Sequence, residues 1–355
     1  MQFRIQNKWI GNDYPLFFIA EAGVNHNGSI KIGKKLIDIA AEAGADAVKF
    51  QTFKAGELNT KQAPKSTYHI ETTGDDLEQS WYELLKSQEI SKEMHLELIN
   101  YCNEKNIIFL STPYGFESAD LLEELNIAAF KVASTDTNNT PLLNFIAKKG
   151  KPIILSTAMC EFEEVKKAVK SIRSQGLNDI AVLQCTGNYP TEISNSNLNV
   201  IQTYRKKLKS IVGFSDHTKE MINPVAATAL GAKIYEKHFT VDKSMPGPDH
   251  RMSLSPKELK KTIAIIRQTE EALGTFQKQV LDSEVENRLK LRKSVVAVKD
   301  IPKGTMITND MIGIKRPGNG IEPSFFQKII GSTALVYIES DSIIEFDELE
   351  IKNNR

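Results

Sequence analysis

Short apolar runs recur along the chain, each followed by a polar or glycine-containing turn and then by a stretch of helical period. The runs fall at 17–20, 47–50, 107–110, 129–132, 152–155, 180–183, 211–214 and 233–236. They are rich in β-branched and aromatic residues and lack strict alternation, which suits strands covered on both faces. Helical spacing of apolar positions appears at 32–43, 92–105, 118–125, 141–149, 163–173, 223–230 and 256–273. Several of these stretches end in glycine, at Gly44, Gly150, Gly176, Gly231 and Gly274, as left-handed helix caps require. Eight strands alternating with helices predict an α/β fold, a closed parallel (β/α)₈ TIM barrel. An open doubly wound sheet is the alternative, because periodicity alone does not show closure. No Gly-x-Gly-x-x-Gly follows the first strand, which weakens a dinucleotide-binding reading.

The long helical periods stop near Gly274. Residues 276–290 read as a linker between a barrel domain at 1–275 and a small β domain at 291–355. In that last segment short β-rich runs such as 294–298 alternate with turns such as Pro302-Lys303-Gly304. The total of 355 residues suits a barrel plus a small domain, and 41% hydrophobic residues are enough to build two cores. Lys+Arg and Asp+Glu both number 45, so there is no global field for nucleic acid or anionic lipid, and any anion site is local. No apolar run approaches a membrane span, and the N-terminus lacks a signal-peptide core, so a cytoplasmic location is expected. Cys102, Cys160 and Cys185 form no CxxC pair; all three are expected to be reduced, with Cys102 and Cys185 packed.

In a parallel barrel, chemistry gathers where the strands end. Here the strand ends carry Glu21 and His26, Lys49 and Gln51, Lys131 with Ser134 and Asp136, Ser156, Asn188 and Tyr189, Ser215 and His217, and His238 followed by Asp249 and His250. By this reading His26, His69, His217, His238 and His250 lie on the strand-end side, and His95 lies in a helix. His217 and His238 sit at equivalent depth on neighbouring strands, so two imidazoles can share one divalent ion, Mn²⁺ or Mg²⁺ if oxygen co-ligands complete it. The alternative is two hydrogen-bonded histidines in a polar mouth. Lys49 and Lys131 lie inside apolar strands, where a lysine must meet an anion or a carboxylate. With Ser156 and Ser215 they form a phosphate and carboxylate pocket, or they are spent in buried ion pairs, for example with Glu21. Glu21 is a candidate base. Tyr189, Asn188 and Asp249 are candidates for sugar hydroxyls, or else simple turn residues.

The segments 21–28 (Glu-Ala-Gly-Val-Asn-His-Asn-Gly), 48–51, 130–134, 215–218, 236–240, 246–249 and 315–320 (Lys-Arg-Pro-Gly-Asn-Gly) together resemble the sialic acid synthases. Seven motifs in order span nearly the whole chain, and the tail resembles that family's antifreeze-like (SAF) domain. The resemblance implies condensation of phosphoenolpyruvate with an N-acylated amino sugar such as N-acetylmannosamine, giving an N-acetylneuraminate-type acid. It implies His217 and His238 as metal ligands and Lys49, Lys131, Ser156, Asn188 and Ser215 as phosphoenolpyruvate contacts. Glu21, Gln51, Tyr189 and Asp249 would serve sugar binding and water activation, with Ser134 and Asp136 at the same mouth. Arg316 would reach the sugar in the partner's barrel of a domain-swapped homodimer. Asp136 departs from the glutamate common in the family, and the loop from 53 to about 76 looks variable, so both bear on sugar specificity. Two other readings remain: an N,N'-diacetyllegionaminate synthase acting on a 2,4-diacetamido-trideoxy hexose, and a non-catalytic carbohydrate-binding protein.

Overall fold

The computed structural model describes residues 1–65, 67–73 and 80–351, with the side chains of 67–69 outside that description. Two compact units result, Met1–Gly274 and Thr275–Arg355.

The first unit opens with a hairpin, β1 (Gln2–Ile5) and β2 (Lys8–Gly11). Eight parallel strands follow: β3 (Phe17–Gly23), β4 (Ala47–Thr52), β5 (Ile108–Pro113), β6 (Phe130–Val132), β7 (Ile153–Ser156), β8 (Ile180–Cys185), β9 (Ile211–Asp216) and β10 (Ile234–His238). β10 pairs with β3, so the sheet closes and the open doubly wound alternative is excluded. The eight helices of the outer ring are α1 (Ile30–Ala43), α2 (Lys92–Glu104), α3 (Phe116–Glu124), α4 (Thr140–Lys148), α5 (Phe162–Ser174), α6 (Asn199–Lys207), α7 (Ile222–Ala229) and α8 (Pro256–Leu273).

Two apolar layers hold the barrel. One lies between strands and helices, where Phe18, Phe50, Phe130 and Tyr235 are fully buried. The other fills the barrel interior, where Ile19, Leu110, Ile154 and Leu183 meet Phe3, Ile5 and Ile10 of the hairpin. The hairpin therefore adds its own apolar side chains to the interior layer. Alternating exposure along Gln2–Ile5 turns Phe3 and Ile5 inward.

Long helices start on caps the sequence provides. Ser255 accepts from Glu258 N while the Glu258 carboxylate accepts from Ser255 N, with Pro256 at the first position. Gly44, at φ +85°, closes α1 in the left-handed conformation. Between β4 and α2 three short helices intervene, Ala55–Leu58, Thr67–Thr73 and Trp81–Ser87. Part of the loop expected to be variable, at 66 and 74–79, lies outside the described residues.

The second unit carries a short helix, Val285–Leu291, then β11 (Ser294–Ala297) paired antiparallel with β12 (Ile312–Lys315), and β13 (Thr333–Ala334) paired with β14 (Leu349–Glu350). Its core is separate and built on Val295, Ile301, Ile307, Ile338 and Ile344.

Candidate active site

Strand alternation decides which side chains enter the barrel mouth. On β9 and β10 the ladder sets Ser215 opposite Glu236 and Asp216 opposite Lys237, so Ser215 and Glu236 share the inward face. The same alternation turns His217 and His238 inward, and their ring centroids are 5.8 Å apart. The Tyr189 ring lies against both, at 4.1 Å from His217 and 6.1 Å from His238.

A cavity of about 380 Å³ opens at this mouth, lined by Glu21, Lys49, Gln51, Lys131, Ser134, Ser156, Tyr189, Ser215, His217 and His238. At its floor Lys49 Nζ sits 2.7 Å from Glu21 Oε2 and donates to Thr112 Oγ1 at 3.0 Å. Glu236, missed by the sequence reading, lies between the two lysines, 3.4 Å from Lys131 and 3.8 Å from Lys49, and accepts from Ser215 Oγ at 3.0 Å. Both explanations for the buried lysines thus have a place. Lys49 is closely paired with Glu21, whereas among the described residues Lys131 has the longer Glu236 contact and the Val132 carbonyl at 3.3 Å. Beside it, Ser156 Oγ is buried with no hydrogen-bond partner among the described residues. An unsatisfied buried hydroxyl next to an under-paired ammonium favours an oxyanion arriving between them.

Burial pushes the Glu21 carboxyl up to about 7, against the pull of Lys49. Burial pulls the Lys131 ammonium below its usual range, with Glu236 opposing. The floor therefore holds two lysines against one firmly ionised carboxylate, Glu236, and one that is near half-protonated at neutral pH. The sign of the Glu21 shift gives a prediction. Between pH 4.5 and about 7 the native metal-free protein keeps a proton that the unfolded chain has lost. Stability contributed by this proton declines as pH rises through that window. In thermal denaturation across the window, wild type should lose melting temperature relative to Glu21→Gln as pH rises. Parallel profiles would contradict it.

A second cavity, also about 380 Å³, adjoins the first through Gln51, Tyr114, Thr135, Tyr189 and His238. Asp249 and Gln88 line it with an apolar wall of Val24, Leu58, Trp81, Leu85 and Pro248. Gln88 is buried, and its Oε1 has no hydrogen-bond partner among the described residues.

The histidine pair fits a divalent ion. His217 Nδ1 donates to the Thr186 carbonyl at 2.7 Å, so in the neutral ring Nε2 carries the lone pair. Burial alone would lower the His217 pKa, but Cys185 outweighs it and raises that pKa, so an ion there would displace a proton. His238 Nδ1 is buried with no hydrogen-bond partner among the described residues, 3.9 Å from Asp249 Oδ2. Burial holds the His238 imidazole well below its usual pKa, hence neutral, as a ligand must be. Among the described residues no third His, Cys, Asp or Glu completes a three-ligand set. Remaining coordination positions would fall to water and substrate, as in an open catalytic site. Cys185 is more than a packing residue. Its thiol lines the first cavity 3.7 Å from His217 Nδ1, the nitrogen already engaged with Thr186.

Other candidates fall elsewhere. Asn188 lines a neighbouring cavity of about 540 Å³ between the β7 and β8 loops. Asp136 lines neither of the two joined cavities; its carboxylate accepts from Asn139 at 2.8 Å. Arg316 is exposed in the second unit. His26 accepts from Gly28 N and His250 pairs with Thr240, so both brace loops rather than line these cavities. His95, on α2, is buried against Thr52 at 2.7 Å. The side chain of His69 lies outside the described residues.

Known proteins are similar to this chain over most of its length. The N,N'-diacetyllegionaminic acid synthase of Campylobacter jejuni is 43% identical over 328 residues, covering 92% of this chain and 98% of that one. The human N-acetylneuraminate-9-phosphate synthase is 38% identical over 339 residues, covering 95% and 93%. The crystal structure of N-acetylneuraminic acid (sialic acid) synthetase from Leptospira borgpetersenii superposes with a TM-score of 0.71 at 33% identity, covering 81% of this chain and 95% of that one. The NeuB family matches residues 36–278, and the SAF domain matches residues 292–350. A closed barrel with this polar mouth, followed by an SAF domain, places the chain in the NeuB family of sialic acid synthase-type enzymes.

Proposed function

We propose that this protein condenses phosphoenolpyruvate with an N-acylated amino sugar and water, releasing phosphate and forming a nine-carbon 2-keto acid. The observation that carries the reading is the junction of two cavities. One has a floor of Lys49 and Lys131, and the other, with Asp249, Gln88 and an apolar wall, opens from it across His238 and Gln51.

Lys49, Lys131, Ser156 and Ser215 bind the phosphate and carboxylate of phosphoenolpyruvate and keep the enol carbon facing the junction. Asp249, Gln51 and Tyr189 orient the open-chain sugar with its aldehyde at the same place. C3 of phosphoenolpyruvate adds to the aldehyde carbon, water adds to C2, and phosphate leaves with cleavage of the C–O bond. Glu21, ionised, accepts the proton of that water, and the lysines hold the departing phosphate charge. His217 and His238 would hold Mn²⁺ or Mg²⁺, which supplies Lewis-acid polarisation of the aldehyde oxygen. Holding both substrates at one junction contributes on the order of 7–11 kcal/mol through orientation.

One observation favours a particular sugar. No Lys or Arg among the described residues lines the second cavity, while five apolar side chains do. That wall suits a methyl and acyl groups better than a phosphate, hence a 2,4-diacetamido-trideoxy hexose over a sugar 6-phosphate. With phosphate release as readout, kcat/KM for the trideoxy sugar should exceed that for N-acetylmannosamine by about tenfold or more, the scale of one buried methyl or acyl contact. Preference for a 6-phosphate would overturn this assignment, and no turnover with any amino sugar would overturn the synthase reading. In a swapped homodimer Arg316 would serve the partner's sugar. Arg316→Ala should then raise KM for the sugar and leave KM for phosphoenolpyruvate unchanged. An unchanged sugar KM would remove that role.

A further inference from the structure

We propose that Asp216 and Lys237, which face away from the barrel mouth, form a positioning pair that fixes the spacing of His217 and His238. The inference rests on the reading of those histidines as metal ligands.

Each member of the pair immediately precedes one of the histidines, and the two are direct cross-strand neighbours in the β9–β10 ladder. Alternation turns them outward, into the layer beneath α7. Their side chains are 0% and 2% exposed, with Lys237 Nζ 2.5 Å from Asp216 Oδ2. Lys237 Nζ also donates to the Thr218 carbonyl at 2.7 Å. Asp216 Oδ1 accepts from both N and Oγ1 of Thr218, at 2.9 and 2.8 Å, and Oδ2 accepts from Tyr235 OH at 2.5 Å. Asn223 of α7 donates to Thr218 Oγ1 at 3.2 Å. His217 is thus gripped through both of its chain neighbours by a lysine that sits one residue before His238.

Such a pair is a poor way to gain stability. Burying two charges costs most of what their attraction returns, so what holds the fold here is the set of contacts that Asp216 accepts from Thr218 and Tyr235 rather than the charge itself. What the charged pair adds is register. A slip of one residue would set Lys237 against Ser215 or His217 and leave both charges unmatched, which adds to the register that burial of both strand faces already imposes. The two imidazoles leave the strand ends just beyond this rung, so its register sets the separation of their nitrogens. Partners that hydrogen-bond a ligating ring directly govern metal affinity by about 10- to 100-fold, and a pair that acts on both rings through the backbone is expected at the lower end of that range.

The test compares wild type with the neutral double variant Asp216→Asn/Lys237→Met, whose amide oxygen keeps an acceptor for Thr218, and the charge-retaining Lys237→Arg. Mn²⁺ dissociation constants are measured by electron paramagnetic resonance, with circular dichroism and phosphoenolpyruvate affinity as controls for the fold and the anion floor. The double variant should fold and bind phosphoenolpyruvate normally, yet bind Mn²⁺ at least about tenfold more weakly. Lys237→Arg should stay within about threefold of wild type. Equal Mn²⁺ affinity in wild type and a folded double variant would overturn the inference and leave the metal reading standing. Failure of the double variant to fold would also overturn it, because the pair would then serve the barrel rather than the histidines. A wild type that binds no Mn²⁺ would remove both.

Discussion

His217→Ala and His238→Ala should each lower kcat by a factor on the order of 10³ or more. Polarising a carbonyl oxygen with a dication contributes several kcal/mol, and each 1.36 kcal/mol is tenfold in rate. With only two imidazoles from the described residues at this point, loss of either leaves a single ligand, and the ion is lost with it. The barrel itself should survive, since both rings sit at strand ends, outside the two apolar layers. Phosphoenolpyruvate binding should change little, because its expected contacts, Lys49 and Lys131, lie deeper on other strands. Steady-state kinetics with circular dichroism checks this. Near-normal turnover by either variant in the presence of chelator would contradict it.

The second large effect separates the two buried lysines. Lys131→Met keeps the volume and removes the charge. Loss of a charge-assisted contact to phosphate or carboxylate should cost about 2–5 kcal/mol, hence roughly 30- to 5,000-fold in kcat/KM for phosphoenolpyruvate. Stability should fall less than for Lys49→Met. Burial depresses the Lys131 pKa, so methionine relieves a cost of carrying that charge, which offsets part of what Glu236 loses with its 3.4 Å partner. Lys49→Met should lose activity as well, but with a lower melting temperature, because it strands Glu21 without its partner at 2.7 Å. A fall in melting temperature for Lys131→Met equal to that for Lys49→Met would show that both lysines are structural ion-pair members.

The sequence made the barrel legible for a physical reason. Its strands are covered on both faces, so each reads as an unbroken apolar run, and all eight appear where those runs stand. Closure was not legible, since it depends on β10 finding β3 across more than two hundred residues. The helix α6 escaped notice because its nine residues bury only Ile201 and Tyr204. The N-terminal hairpin escaped because four-residue strands leave little alternation to read.

At the site, side chains near strand ends could be placed by their period of two, which is why His217, His238, Lys49 and Lys131 meet. Glu236 obeys the same rule, two residues before His238, and a stricter use of that alternation would have found it. Asp136 and Asn188 lie past the strands, where local turns set direction. Asn139 takes the first, and the β8 loop carries the second to the neighbouring cavity.

Phosphoenolpyruvate labelled with ¹⁸O in the bridging C2–O–P position tests the central claim most directly. The protein is incubated with Mn²⁺ and a 2,4-diacetamido-trideoxy hexose or N-acetylmannosamine, and both products are weighed by mass spectrometry. The products should be a nine-carbon 2-keto acid free of label and phosphate that carries it, as cleavage at C–O requires. Label retained in the keto acid, or phosphate released with no nine-carbon product, would contradict it.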